Sequence, residues 1–130
     1  MNCNVLIVDD SPTLRCAIAK VAELAGVARH CVFQATNGQE ALDALESQPI
    51  DLVLLDLNMP VMNGEEFARE VRRRPQLAQS RIVVVSTEMN EARLARMREL
   101  GVTETLTKPF EPEELFSLIC RLLGANACAR

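Results

Sequence analysis

The stretch Ile50-Asp51-Leu52-Val53-Leu54-Leu55-Asp56-Leu57-Asn58-Met59-Pro60 decides how the rest of this chain is read. Its apolar run, set between Asp51 and Asp56, is too short for a core helix. Its unbroken hydrophobicity is that of a parallel strand covered on both faces. Asp56 stands at the exit of that strand. In open α/β sheets the carboxyl ends of the strands are where ligands and chemistry gather, so an acid there is a candidate functional group. Taken alone, it equally fits a solvated residue that starts a turn, and the other strand ends have to decide.

Working outward, the N-terminal run Val5 to Val8 exits into Asp9-Asp10, and Ser11-Pro12 opens a helix. Ser11 suits the cap and Pro12 the first helical position, where its missing N–H costs nothing. Leu14, Ala17, Ile18, Val21, Ala22 and Ala25 follow at helical spacing, and Gly26 supplies a stop. Cys31 to Ala35 is a second, weaker strand, and Asn37-Gly38 leads into a helix carrying Ala41, Leu42 and Leu45. After the strand that ends at Asp56, Pro60 and Gly64 punctuate a loop before a helix from Glu65 to about Arg73. Arg72-Arg73-Arg74 at its end reads as a solvated turn that offsets the helix dipole.

The run Ile82 to Val85 is the most β-branched in the chain, and it delivers Ser86-Thr87 at its exit. The next helix, about Asn90 to Leu100, has only Leu94, Met97 and Leu100 as strong apolar anchors, which predicts a loose hold on the core. Val102 to Thr107 is a polar-leaning strand suited to a sheet edge, and it leads into Lys108-Pro109-Phe110. Pro112 opens a last helix expected to bury Leu115, Phe116, Leu118, Ile119, Leu122 and Leu123 before Gly124. Residues 1–124 form the domain and 125–130 a tail. Five strands alternating with five helices predict an α/β fold with a doubly wound parallel sheet, flavodoxin-like, in the order 2-1-3-4-5. That order puts the first and third strands side by side, so Asp9, Asp10 and Asp56 converge.

Composition narrows the partners. The 130 residues suit one domain with a real core, and the net charge of −4 with a pI near 5.0 gives no footprint for nucleic acid or an anionic membrane surface. Five scattered cysteines without C-x-x-C spacing argue against a disulfide framework and a zinc site, and read as thiols of a reducing cytosol. No signal peptide or membrane anchor is read in the sequence, so a cytoplasmic location is expected.

Three carboxylates at one rim repel and require a compensating charge. A divalent cation supplies it, and oxygen donors without His or Cys select Mg²⁺, or Mn²⁺ as a substitute. Ser86 adds a hydroxyl donor and Lys108 a fixed cation. A metal, a hydroxyl and an ammonium beside a carboxylate are what phosphoryl transfer needs, because the protein's task there is positioning and charge neutralisation.

Asp9-Asp10-Ser11-Pro12, Asp56-Leu57-Asn58-Met59-Pro60 with Gly64, Ser86 and Lys108-Pro109-Phe110 together resemble the motif set of receiver domains in two-component response regulators. The likeness runs from about residue 4 to residue 123 and is closest to the single-domain chemotaxis type, CheY. Each motif alone is weak; four in the right order, each at the end of its strand, is specific. The resemblance implies that Asp56 accepts a phosphoryl group from a phosphohistidine on a histidine kinase. It implies that Asp10, the Asp56 carboxylate and the Asn58 carbonyl hold Mg²⁺, with Asp9 acting mainly through a bound water. It further implies that Ser86, in place of the commoner Thr, and Lys108 bind the phosphoryl group, that the Lys108-Pro109 bond is cis, and that Asn58 and Glu88 tune the phosphate lifetime.

One position departs from the family pattern. Three residues before the lysine an aromatic ring is usual, and here Thr105 stands there. The ring on which the aromatic form of the switch relies does not stand at its usual position, and Ser86 with the loosely held fourth helix is expected to carry the change. The resemblance implies a downstream protein target, with a chemotaxis or flagellar-motor target first, and a phosphatase as a further partner. A phosphate shuttle or sink between kinases is the alternative. A small Mg²⁺-dependent phosphatase of the haloacid-dehalogenase class would need a second Asp two residues after Asp56, where this chain has Asn58. A flavodoxin-like electron carrier fails because Asp9-Asp10 would repel the flavin phosphate and no Tyr or Trp can stack the ring. With only a short tail read after Gly124, the expectation is a domain without an attached output domain. His30 reads as a surface residue, Met59 and Met62 as packing for the Asp56 loop, and Cys16 and Cys120 as small apolar fillers of their helices.

Overall fold

The computed structural model describes residues 3–87, 90–102 and 104–124. Strands β1 (Val5–Val8), β2 (Val32–Ala35), β3 (Leu52–Leu55), β4 (Arg81–Ser86) and β5 (Glu104–Thr107) alternate with helices α1 (Pro12–Leu24), α2 (Gly38–Ser47), α3 (Gly64–Arg73), α4 (Glu91–Glu99) and α5 (Pro112–Leu123). The strands are all parallel and lie in the order β2-β1-β3-β4-β5. The register pairs Val8 with Leu55 and Leu55 with Val84. Strand ends therefore line up, and the residues that follow them emerge along one rim.

Alternation along each strand feeds two cores. Leu6, Val8, Val53, Leu55, Ile82 and Val84 face one way, under Leu42 of α2, Phe67 of α3 and Met97 of α4. Val5, Ile7, Leu52, Leu54, Val83 and Val85 face the other way, under Ile18 of α1 and Leu115 and Ile119 of α5. Every residue of β1 and β3 is buried, as their unbroken hydrophobicity required, and β5 alternates between half-buried and exposed at its edge. Each of the large side chains contributes about 1.5–3 kcal/mol by leaving water.

Helix ends follow the sequence signals. The Ser11 hydroxyl accepts from the Leu14 N–H at 3.2 Å with Pro12 beginning α1, and Asn63 and Glu66 form a reciprocal cap on α3. Gly101 ends α4 with φ 86°, a left-handed conformation that favours glycine.

Three expectations need correction. Phe116 is 40% exposed, because Leu115, Leu118 and Ile119 form the inward stripe of α5 and Phe116, one residue on, is rotated by about 100° from Leu115. Cys16 is exposed for the same kind of reason, lying two residues before the buried Ile18. Arg72, Arg73 and Arg74 point outward but are paired: Arg73 meets Glu70 at 2.8 Å, Arg74 meets Glu46 at 2.9 Å, and the Arg72 guanidinium donates to the Leu100 carbonyl at the end of α4. His30 is exposed in a short 3-10 turn, and Met59 and Met62 pack half-buried against the core, as read from the sequence. Glu88 and the tail 125–130 lie outside the described residues. No helix among the described residues is long and apolar enough to cross a membrane.

Candidate functional site

The ladders on both sides of β1, to β3 and to β2, each run one step past the strands. The Asp56 N–H donates to the Val8 carbonyl at 2.9 Å, and the Asp9 N–H donates to the Ala35 carbonyl at 3.1 Å. Both aspartates are thus fixed through their backbones at adjacent strand ends. Carboxylate oxygens of Asp9, Asp10 and Asp56 lie within 4.8 Å of one another. Asp9 and Asp56 are buried, at 3% and 7% exposure, while Asp10 is exposed.

Lys108 arrives from the end of β5. Its N–H donates to the Ser86 carbonyl at 3.1 Å, and the Lys108-Pro109 bond is cis. Its ammonium lies 2.7 Å from Asp9 Oδ2 and 3.5 Å from Asp56 Oδ2. The other oxygen of Asp9 accepts from the Ser11 N–H at 2.9 Å, so both Asp9 oxygens are engaged. Asp56 Oδ1 accepts from the Asn58 N–H at 3.3 Å. Ser86 is fully buried at the end of β4, two residues beyond the Leu55–Val84 pairing.

One ammonium does not balance this cluster. Burial pushes the Asp56 carboxyl above the ordinary carboxylate range; Lys108 pulls it down, the Asp9 charge pushes it up again, and the Asn58 N–H lowers it. A further positive charge at the rim would complete the balance. The donors available are all oxygens, one of the three carboxylates is open to solvent, and the set fits a hard divalent cation such as Mg²⁺.

The loop after β3 is held close. A Cβ on Gly64 would lie 2.5 Å from the Asp56 carbonyl oxygen and 2.9 Å from Leu57 Cα, so only glycine allows α3 to start against the acceptor loop. The Gly64 N–H also donates to the Leu57 carbonyl at 3.1 Å. Beside the rim, a cavity of about 620 Å³ opens between α1 and the turn into α5, lined by Leu14, Val21, Lys108 and Phe110 among others.

All the residues singled out in the sequence as ligands or phosphoryl contacts, Asp9, Asp10, Asp56, Asn58, Ser86 and Lys108, come to this one rim. Sequence reasoning missed two arginines. Arg15 of α1 donates to the Asp9 carbonyl at 2.7 Å, and Arg93 of α4 donates to Asn58 Oδ1 at 2.9 Å and to the Leu57 carbonyl at 3.1 Å. Arg15 lies six residues from Asp9 and was open to a helix-start argument. Arg93 lies 35 residues from Asn58 in a run rich in arginine, and no spacing rule distinguishes it from its neighbours.

Comparison with known proteins agrees with this geometry. The model of the response regulator receiver domain matches residues 5–120. The chemotaxis protein CheY homolog of Campylobacter jejuni subsp. jejuni is 32% identical over 124 residues, which is 95% of this chain and 94% of that protein. The sensor histidine kinase TmoS of Ectopseudomonas mendocina is 34% identical over 120 residues; these cover 92% of this chain but only 12% of that much longer protein. Among solved structures, chemotaxis protein CheY4 of Vibrio cholerae superposes with a TM-score of 0.85 at 34% identity, covering 95% of this chain and 100% of that one. The Mn²⁺-bound form of response regulator Rcp1 superposes with a TM-score of 0.75 at 28% identity, covering 92% and 90%. With the family matched over nearly its whole length and CheY homologues overlapping it almost end to end, this chain belongs to the response regulator receiver domains of two-component signalling and is of the CheY-like kind.

Proposed function

We propose that Asp56 is a phosphoryl acceptor and that the protein is a phosphorylation-dependent switch fed by a histidine kinase. An Asp56 carboxylate oxygen attacks the phosphorus of a kinase phosphohistidine. The new O–P bond makes an acyl phosphate while the P–N bond breaks, and the imidazole leaves and takes up a proton. Lys108, 3.5 Å from Asp56 Oδ2, is placed to pair with the incoming phosphoryl oxygens, and Ser86 to donate its hydroxyl to them. Asp10, Asp56 and the Asn58 carbonyl are the residues that would hold Mg²⁺, with Asp9, already tied to Lys108 and Ser11, acting through a bound water. When bound, the cation neutralises charge on the transferring group. The domain promotes only its own phosphorylation and dephosphorylation.

The observation that carries this reading is the meeting of three carboxylates within 4.8 Å with Lys108 as their cation. A small phosphatase is disfavoured, since Asn58 has no proton to give as a general acid and its Oδ1 already accepts from Arg93. The test is incubation with acetyl phosphate and Mg²⁺. The wild type gains one phosphoryl group by mass and Asp56→Asn gains none; no gain in the wild type, or an equal gain in Asp56→Asn, overturns the assignment.

We further infer a separate protein target, of the chemotaxis or flagellar-motor kind, supported by the near-complete overlap with CheY homologues. A phosphate shuttle or sink between kinases is the second reading, and the likeness to a segment of a sensor histidine kinase favours it. Capture of a motor-switch protein by the beryllofluoride-loaded form but not the unloaded form supports the first. Return of label from phosphorylated protein to a kinase supports the second.

A further inference from the structure

We propose that Arg93 is a positioning residue of the phosphoryl site, acting through Asn58, and that it ties the start of α4 to the acceptor loop. The inference rests on Asp56 being the acceptor, and it names the side chain through which the site reaches its neighbouring helix.

The contacts form a continuous line. The Asn58 N–H donates to Asp56 Oδ1 at 3.3 Å, and Asn58 Oδ1 accepts from Arg93 Nη1 at 2.9 Å. Arg93 Nη2 reaches one residue back to the Leu57 carbonyl at 3.1 Å, and Arg93 Nε lies 3.8 Å from Glu65 Oε1 on α3. The planar guanidinium spans two oxygen acceptors at once, which an ammonium cannot do from one position. Its base is equally fixed: Arg93 is the third residue of α4, and its N–H donates to the capping Asn90 side chain at 3.2 Å. The side chain is only 18% exposed, so water competes weakly for these bonds.

The rest of α4 offers little resistance to a pull at this point. Met97 is its one buried residue, and its other ties are polar: the Arg96 guanidinium grips both Glu65 oxygens at 3.0 and 3.2 Å, and the Leu100 carbonyl just past its end accepts from Arg72. Arg96 therefore fastens α4 to α3, whereas Arg93 fastens it to the loop that carries Asn58. Any rearrangement around the Asp56 carboxylate passes to Asn58 through its backbone N–H and from there to α4. Thr105 holds no ring that could carry the signal instead.

The test uses the full chain with beryllofluoride and Mg²⁺ as the probe. Fluorine NMR reports occupancy, and amide exchange across Glu91–Glu99 reports the response. In the wild type, occupancy changes exchange in α4 by on the order of fivefold or more. Arg96→Ala speeds resting exchange but retains that response, because its loop tie is intact. Arg93→Ala binds the probe and loses most of the response. Asn58→Ala, which removes the acceptor from the other side and keeps the backbone carbonyl, reproduces the loss and decides the matter if Arg93→Ala does not fold. A wild-type response in probe-loaded Arg93→Ala or Asn58→Ala overturns the proposal, as does a wild type that binds the probe without changing α4. A wild type that fails to bind the probe overturns the phosphoacceptor reading and the tether with it.

Discussion

The acidic rim and α4 adjoin one another but are built from different forces. Asp9 and Asp56 emerge from β1 and β3, two strands buried at every position and paired with each other, so the rim inherits the stiffness of the sheet. Helix α4 buries only Met97 and is positioned by guanidinium groups on carbonyls and a carboxylate. The difference teaches where such a switch can move: a charged site needs fixed distances, whereas its readout needs contacts that exchange at small cost.

The largest expected effect lies under the rim. Phe67 of α3 is fully buried in the core beneath β1 and β3. Phe67→Ala is expected to cost about 3–5 kcal/mol in urea unfolding. An exposed ion pair of α4 should cost far less, so Arg96→Ala is expected to leave the urea midpoint close to that of the wild type. Equal costs would mean that α4 is as firmly built as the rim.

Next in size is Gly64→Ala. The added methyl would lie 2.5 Å from the Asp56 carbonyl oxygen, which is backbone and cannot swing aside. The loop or the start of α3 must shift, with an expected loss of about 1–3 kcal/mol. Phosphorylation from acetyl phosphate should slow in the same variant. If stability falls while the labelling rate stays at the wild-type value, the acceptor geometry is less stiff than the strand ladder implies.

The acid at the rim gives a smaller effect of opposite sign. Burial, opposed by Lys108 and reinforced by Asp9, holds the folded Asp56 carboxyl above its unfolded range. The native state therefore binds the extra proton between those two values. Its stabilising contribution is complete below the ordinary carboxylate range and is lost as pH rises through the raised value. At neutral pH the charged Asp56 is a liability, and Asp56→Asn is expected to unfold at a higher Tm than the wild type. The advantage should shrink as pH falls, and Mg²⁺ should shrink it at neutral pH by stabilising the wild type. Calorimetry of both proteins across pH, with and without Mg²⁺, reads each arm; an advantage that grows on acidification contradicts the charge argument.

How much of this was legible in the sequence follows the same division. Whatever depends on strand ends was readable: continuous apolar runs at Val5–Val8 and Leu52–Leu55 gave buried parallel strands, and the right-handed crossover rule brought Asp9 beside Asp56. The thin apolar hold of α4 was also readable, because it depends on local spacing. The ties that replace it were not. Arg93 to Asn58, Arg96 to Glu65 and Arg72 to Leu100 link residues 28 to 35 apart through side chains whose directions the linear pattern does not determine. The misjudged Phe116 fails for a related reason: helical spacing places it beside a core residue in sequence, and only the docked helix shows which side of Leu115 meets the sheet.

The smallest effect probes the loop that joins the two regions. Val61 follows Pro60 with φ 69°, in the left-handed region where a β-branched side chain crowds its own backbone. It is 81% exposed, so replacing it forfeits almost no burial. The Met62 carbonyl beside it accepts from the Gly38 N–H at 2.9 Å, so the loop is pinned to the start of α2 and keeps this conformation whatever residue occupies position 61. Asn tolerates the left-handed region, and Val61→Asn is expected to stabilise the protein by about 0.5–1 kcal/mol. Because the Val61 side chain lies mostly in solvent, the phosphoryl-labelling rate should stay at the wild-type value. A gain in stability accompanied by slower labelling would show that backbone strain at Val61 helps set the acceptor loop, and would move this loop from the stiff side of the comparison to the adaptable one.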